Sequence, residues 1–228
     1  MDYHLGIEDI EPENWVAWVF ELPGCYARGP TREQAVSLAP VAVKEHLVRL
    51  GGSGTHPEDT DSRFSVIIAE EFRAFHSSPD YLVNAFFDND TLPLTRDDID
   101  YARRLLSLNR DGLLAIASPL SGARLDLEIP GEVQKNLRGI LRHIGTAEWW
   151  YWDRLGQAFP RRERPDDLFE LLRTVREFTL QHLPSIVGST QVATCSGEMW
   201  SPRKLVRRAI WHERVHTLQI ARYLKEGS

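Results

Sequence analysis

Cysteine is nearly absent from this chain: Cys25 and Cys195 are the only two in 228 residues, far apart and outside any CxxC spacing. That excludes a disulfide framework and a cysteine-built zinc site, and both read as reduced thiols. No apolar run approaches the roughly 20 residues that a bilayer crossing needs. The opening Met-Asp-Tyr-His-Leu-Gly has neither the basic nor the apolar region of a secretion signal. A cytoplasmic protein without a membrane partner is therefore expected. A basic excess is missing too: 27 lysines and arginines face 33 aspartates and glutamates, for a net charge of -6. That balance argues against a nucleic-acid partner or an acidic membrane surface.

The pattern that is present changes part-way along the chain. Period-two runs come first and period-3.6 runs follow, so the expected organisation is an α+β domain over residues 1–90 and an all-α domain over 91–228. In the first, residues 3–7 and 15–21 form a hairpin across the turn-rich Asp-Ile-Glu-Pro-Glu-Asn, with Trp15, Trp18 and Phe20 supplying bulk. Leu22-Pro23-Gly24-Cys25 turns the chain, Tyr26 to Gly29 adds a third strand, and Thr31 with Gln34 opens a helix running to about Leu50. Its Ala35, Leu38, Ala39, Ala42, Val43 and Leu47 have the period of a helix laid on a sheet. Gly51 to Asp61 has the composition of a flexible connection, Phe64 to Ala69 is a strand that rejoins the sheet, and another strand is expected over 81–87. The sum is a small antiparallel sheet with one helix.

The two opening strands, the Leu22-Pro23-Gly24-Cys25-Tyr26 motif, Gly29 and the helix start at Thr31, Glu33, Gln34 and Ala35 resemble the HicB-like antitoxin fold over about the first 50 residues. The resemblance implies an accessory or dimerising module, and hence a homodimer. Antitoxin function is not implied, because no DNA-binding segment follows.

In the second domain, Thr95 and Asp98 form a capping box for a helix whose Ile99, Ala102, Leu105, Leu106, Leu113 and Ile116 share a face and which ends near Pro119. Ser118 to Gly131 is a connection, and residues 132–157 make a second helix with Ile140, His143, Ile144, Ala147, Trp150 and Tyr151 inward. Arg161 to Arg164 is a solvated turn. Asp166 and Asp167 start a third helix that Pro184 stops, and Ser201 and Pro202 start a fourth that reaches Leu224. Four helices with one long connection are the inventory of a four-helix bundle.

The last helix carries the chemistry. Leu205, Ala209, His212, His216, Ile220 and Tyr223 fall on one stripe, and Arg203, Arg207, Arg214 and Lys225 fall on the opposite one, so both histidines face the core. Two imidazoles one turn apart can share a cation, or each can be satisfied by a core hydrogen bond. His143 is the only other histidine whose period places it inside the bundle, which makes His143, His212 and His216 the candidate metal ligands. Three neutral imidazoles leave a position open for water or substrate.

The bundle resembles the DinB superfamily over about residues 93–226. The matching residues are His143 in Leu-Arg-His-Ile-Gly-Thr-Ala-Glu-Trp-Trp, and Trp200-Ser201-Pro202-Arg203-Lys204 followed by Trp211-His212-Glu213-Arg214-Val215-His216. The resemblance implies that the three histidines bind one divalent ion, zinc, nickel or iron. It further implies a metal-dependent transferase or isomerase acting on a small molecule, with a low-molecular-weight thiol as co-substrate.

His212-Glu213-x-x-His216 also matches the HExxH pattern of zinc hydrolases, in which the glutamate is the general base. Only 12 residues follow His216, so the downstream third ligand such enzymes use has little room, and His143 fits better. Glu213 is either a base for a bound water or a carboxylate at the surface or behind the ligands. Trp150 or Tyr151 is either core or a wall of a substrate pocket, and Cys195 either approaches the site or is an inert buried thiol. Arg208 is either an ordinary surface arginine or the partner of an anionic substrate group. Two functional readings remain: a metal-dependent thiol transferase, and a non-catalytic, metal-stabilised binding or stress-associated protein.

Overall fold

The computed structural model describes residues 1–11, 13–51 and 64–226. They divide into two compact units, Met1–Leu92 with Val192–Arg207, and Pro93–Gln191 with Arg208–Ser228. The grouping of Val192–Arg207 with the first unit is something no hydrophobic period announces.

In the first unit, β1 (Asp2–Glu11), β2 (Asn14–Val19) and β3 (Tyr26–Gly29) form an antiparallel meander. The turn after β2 closes with the Cys25 N–H donating to the Leu22 carbonyl at 2.8 Å, and Gly24 takes φ 86°, a region that disfavours any side chain. Thr31 Oγ1 accepts from the Gln34 N–H at 3.2 Å at the start of α1 (Arg32–Gly51). Ala35, Ala39, Val43 and His46 are the buried residues of α1. Leu38, expected on that face, is 45% exposed because it lies off the line these four make.

The strand expected at 64–69 is β4 (Ser65–Arg73), which does rejoin the sheet, giving the order β3-β2-β1-β4. It pairs with β1 in parallel, so the sheet is mixed and the expectation of an antiparallel one is corrected. The reason is topological: α1 carries the chain back to the end where β3 began, and the next strand must run the same way. Apart from Gly51, the expected flexible connection Gly51 to Asp61 lies outside the described residues.

In place of one strand over 81–87 there is a hairpin of β5 (Phe75–Ser78) and β6 (Tyr81–Val83). A second hairpin, β7 (Ala193–Cys195) with β8 (Glu198–Trp200), occupies what the sequence suggests is a loop. Its two-residue turn has φ 53° at Ser196 and 82° at Gly197, as a primed turn requires.

Ser201 Oγ accepts from the Lys204 N–H at 3.1 Å and opens α6 (Pro202–Glu226). The first residues of α6 are buried with the first unit. Lys204 is fully enclosed and donates to Glu198 at 2.7 Å and to the Asn84 and Met199 carbonyls. Arg207, expected on the solvent side, is 5% exposed: it pairs with Asp90 at 2.6 Å and lies over Trp18 and Phe87. A carboxylate, a carbonyl and two aromatic faces replace the water such a group would otherwise keep.

The second unit is helical: α2 (Arg96–Ala117), the short α3 (Gly122–Asp126), α4 (Leu137–Arg154), α5 (Leu168–His182) and the remainder of α6. The Thr95–Asp98 capping box is present. Two boundaries differ from expectation. α3 forms inside the 118–131 connection, capped by Ser121. α4 begins at Leu137 rather than 132, because Lys135 takes φ 67° and the Asn136 side chain accepts from the Gly139 N–H at 2.8 Å. Leu113, Ile140, Leu141, Ile144, Leu172 and Ile220 belong to one buried cluster, each contributing about 1.5–3 kcal/mol by burial.

Of the four-residue aromatic run, Trp149, Tyr151 and Trp152 are buried and Trp150 is half-buried. The indoles of Trp149 and Trp152 donate to the Phe159 carbonyl and to Thr179 Oγ1, which satisfies their polar edges. Among the described residues no helix is long and apolar enough to cross a membrane.

Candidate metal centre

α4 presents His143 and α6 presents His212 and His216, and the three rings meet. The Nε2 atoms of His143 and His212 are 2.9 Å apart, and those of His212 and His216 are 3.2 Å apart. Nitrogens bound tetrahedrally to one ion at about 2.0–2.1 Å lie about 3.3 Å from one another, so the donor set has the size a small cation needs. Among the described residues this is the group of histidine, cysteine and carboxylate side chains close enough to hold a metal ion. His212 is buried, whereas His143 and His216 are half-buried, a departure for His143, which periodicity places wholly inside. The cluster sits at the margin of the core.

Hydrogen-bond counting decides which way the lone pairs point. Gln219 Nε2 donates to Glu132 Oε2 at 2.6 Å, so its Oε1, 2.6 Å from His216 Nδ1, can only accept. His216 therefore carries its hydrogen on Nδ1, and its Nε2 is a bare lone pair facing His212. A single Nε2 hydrogen on His212 could serve one of its two neighbours and leave the other contact unmade. One cation accepting three lone pairs satisfies all of them. The residues present fit a divalent ion.

Electrostatics favour the same state. Burial lowers the His143 ring to about 4, with repulsion from His216 adding to it and Glu132 opposing it. Burial, then His216, His143 and Arg208, hold His212 well below its ordinary value. Burial lowers His216 against the opposing pull of Gln219 and Glu132. Neutral imidazole is the form that ligates.

Glu132, Gln219 and Tyr223 are residues that sequence reasoning missed as a set. Glu132 accepts from Gln219, from the Tyr223 hydroxyl at 2.7 Å and from the Gln134 N–H at 3.1 Å. A glutamine three residues after His216 is the only local signal, and the carboxylate it needs is 87 positions away.

Glu213 is neither at the surface nor beside the histidines' lone pairs. It is 2% exposed, and its two oxygens accept from Arg110 Nε and Arg176 Nη2, both at 2.6 Å. Glu148 accepts from the same arginines at 2.8–3.0 Å. One residue each from α2, α4, α5 and α6 thus closes a buried ring of two guanidiniums and two carboxylates. The spare donors of Arg110 and Arg176 go to the Leu172 and Leu106 carbonyls. Both oxygens of Glu213 are occupied, as a structural carboxylate's would be.

The other candidates are placed as follows. Tyr151 is buried with its ring 6.0 Å from that of His212, and Trp150 carries the Arg154 guanidinium over its face. Arg208 is 8% exposed, against the expectation of an ordinary surface arginine. Cys195 is half-buried on β7 and Cys25 is buried; neither is in a disulfide. His182 stacks on Phe178, and His4 pairs with Glu21. No protein-family model, curated protein or solved structure matches this chain.

Proposed function

We propose that His143, His212 and His216 hold one divalent ion, zinc, nickel or iron, in a DinB-like four-helix bundle, and that the protein is a metal-dependent transferase acting on a small molecule with a thiol co-substrate. The observation that carries the metal part is the convergence of three imidazole Nε2 atoms within 2.9 and 3.2 Å, with the His216 tautomer set by Gln219. A bound ion would act as a Lewis acid, lowering the pKa of a thiol or water at its open position. The chain's own contribution is positional. Glu132 and Gln219 orient His216, burial keeps all three rings neutral, and the Tyr151 ring beside His212 limits water on that side.

Two further observations bear on the alternatives. Burial of Glu213 with both oxygens held by arginines weighs against an HExxH hydrolase, since a general base must be within reach of the reacting water. Among the described residues the close ligand group is made of three histidines alone, and a non-catalytic, metal-stabilised binding protein is the second reading. For the first unit, the hairpin, third strand and Thr31-capped helix support the HicB-like reading. Ile67 and Ile68, 44% and 37% exposed on the edge strand β4, support association of two copies.

Elemental analysis of the purified full chain tests the metal: about one divalent ion per chain is expected, lost in His212→Ala. Incubation with a panel of thiols and electrophiles then separates the readings. Turnover that His143→Ala abolishes supports the transferase, and equal background rates leave the binding protein.

A further inference from the structure

Arg208 stands one turn before His212 on α6, on the same face of the helix. It is 8% exposed, and neither its Nε nor its Nη1 has a hydrogen-bond partner, although both atoms are buried. Its guanidinium plane lies over the Trp211 ring at 4.4 Å, which accounts for its face but not for its N–H groups. Its neighbours on α6 are bound to acceptors: Lys204 donates to Glu198 and two carbonyls, and Arg207, with Nη1 alone lacking a partner, donates to Asp90 and the Ala85 carbonyl. A desolvated guanidinium with two nitrogens lacking acceptors is costly, and its cost is offset when an anion supplies them. Arg208 and His212 are one turn apart on the same face of α6, so that anion belongs beside the histidine cluster.

We propose that Arg208 is the anion-recognition residue of the histidine site, and that the ligand taken there is a small carboxylate with a second donor atom for the metal. This rests on the metal reading above and names its substrate class. A carboxylate fits because it offers acceptor oxygens to a cation already stacked on an indole, and it leaves the rest of the ligand to reach the triad. An uncharged thiol or alcohol would leave Nε and Nη1 without a charged acceptor and bind less well.

The test uses the full chain loaded with cobalt(II), titrated with thioglycolate and with 2-mercaptoethanol, and followed by the sulfur-to-cobalt absorption band. Both probes carry a thiol, and only the first carries a carboxylate. Wild-type protein should bind thioglycolate about ten- to a hundred-fold more tightly than 2-mercaptoethanol. In Arg208→Gln that preference should vanish while the 2-mercaptoethanol affinity and the one-to-one cobalt content stay unchanged. Arg208→Lys, which keeps the charge, should retain part of the preference and controls for misfolding, as does the circular dichroism of each variant. An undiminished preference in a folded, cobalt-loaded Arg208→Gln overturns the assignment while leaving the metal reading intact. Failure of the wild-type chain to take up cobalt overturns the metal reading itself, and this inference with it.

Discussion

Glu213 and His212 are consecutive, yet Glu213 turns its carboxylate onto Arg176 at 2.6 Å while the His212 ring meets His143 at 2.9 Å. Adjacent helical positions point about 100° apart, so one joins the buried ion ring and the other the histidine cluster. Glu213→Ala leaves Arg110 and Arg176 short of one countercharge in the core. It should cost about 3–5 kcal/mol of stability, read by urea unfolding. The metal content of the fraction that remains folded should be unchanged, and loss of metal at full stability would show that Glu213 acts on the site after all.

Glu148 supplies a pH dependence. Burial alone would raise its carboxyl, but Arg176 and Arg110 outweigh that and pull it down to about 2. Because the folded value is depressed below that of the unfolded chain, the unfolded state binds the proton first as pH falls. Its contribution is therefore fully present above about pH 4.5 and lost as the pH falls through about 2. The stability difference between wild type and Glu148→Gln, measured by denaturant at a series of pH values, should shrink steadily over that window. A constant difference would exclude the mechanism.

Gln219 holds the His216 tautomer, so Gln219→Leu should weaken metal binding by about 10- to 100-fold with little change in the stability of the metal-free chain. Competition with a chelator of known affinity measures the first and thermal unfolding the second. Gln219→Glu keeps an acceptor but sets a second carboxylate against Glu132, and should fall between wild type and the leucine variant.

Gly145 lies where α4 comes close to α5: a Cβ there would meet Leu171 Cγ at 3.2 Å and Leu172 Cδ2 at 3.4 Å. Gly145→Ala trades that tight contact against a better helix former and should be nearly neutral. Gly145→Val adds branched bulk that the contact cannot absorb and should cost about 1–3 kcal/mol, seen as a lower Tm. Because Gly145 is two residues from His143, the valine variant should also lose metal affinity.

Much of the architecture is legible in the chain. Thr31, Thr95 and Ser201 cap their helices as their positions suggest, since a cap is a bond between residues three apart. The stripe that carries His212 and His216 follows from the helical period alone, and the same period puts His143 on the inner face of α4. The parallel pairing of β4 was not legible, because strand direction depends on the crossover and not on the composition of either strand. Nor was the burial of Lys204, Arg207 and Arg208: charged residues read as solvent-facing until their partners, such as Asp90, 117 positions from Arg207, are brought to them.

The sequence by itself determined which residues could be ligands, because periodicity and capping are local and act over one or two helical turns. Only the tertiary structure decided that the three rings share a point, that Gln219 and Glu132 set one ring's hydrogen, that Glu213 is spent on two arginines, and that Nε and Nη1 of Arg208 are left without acceptors. Each of those depends on groups tens of residues apart meeting out of water, where an unmatched charge or donor is costly and every partner therefore counts.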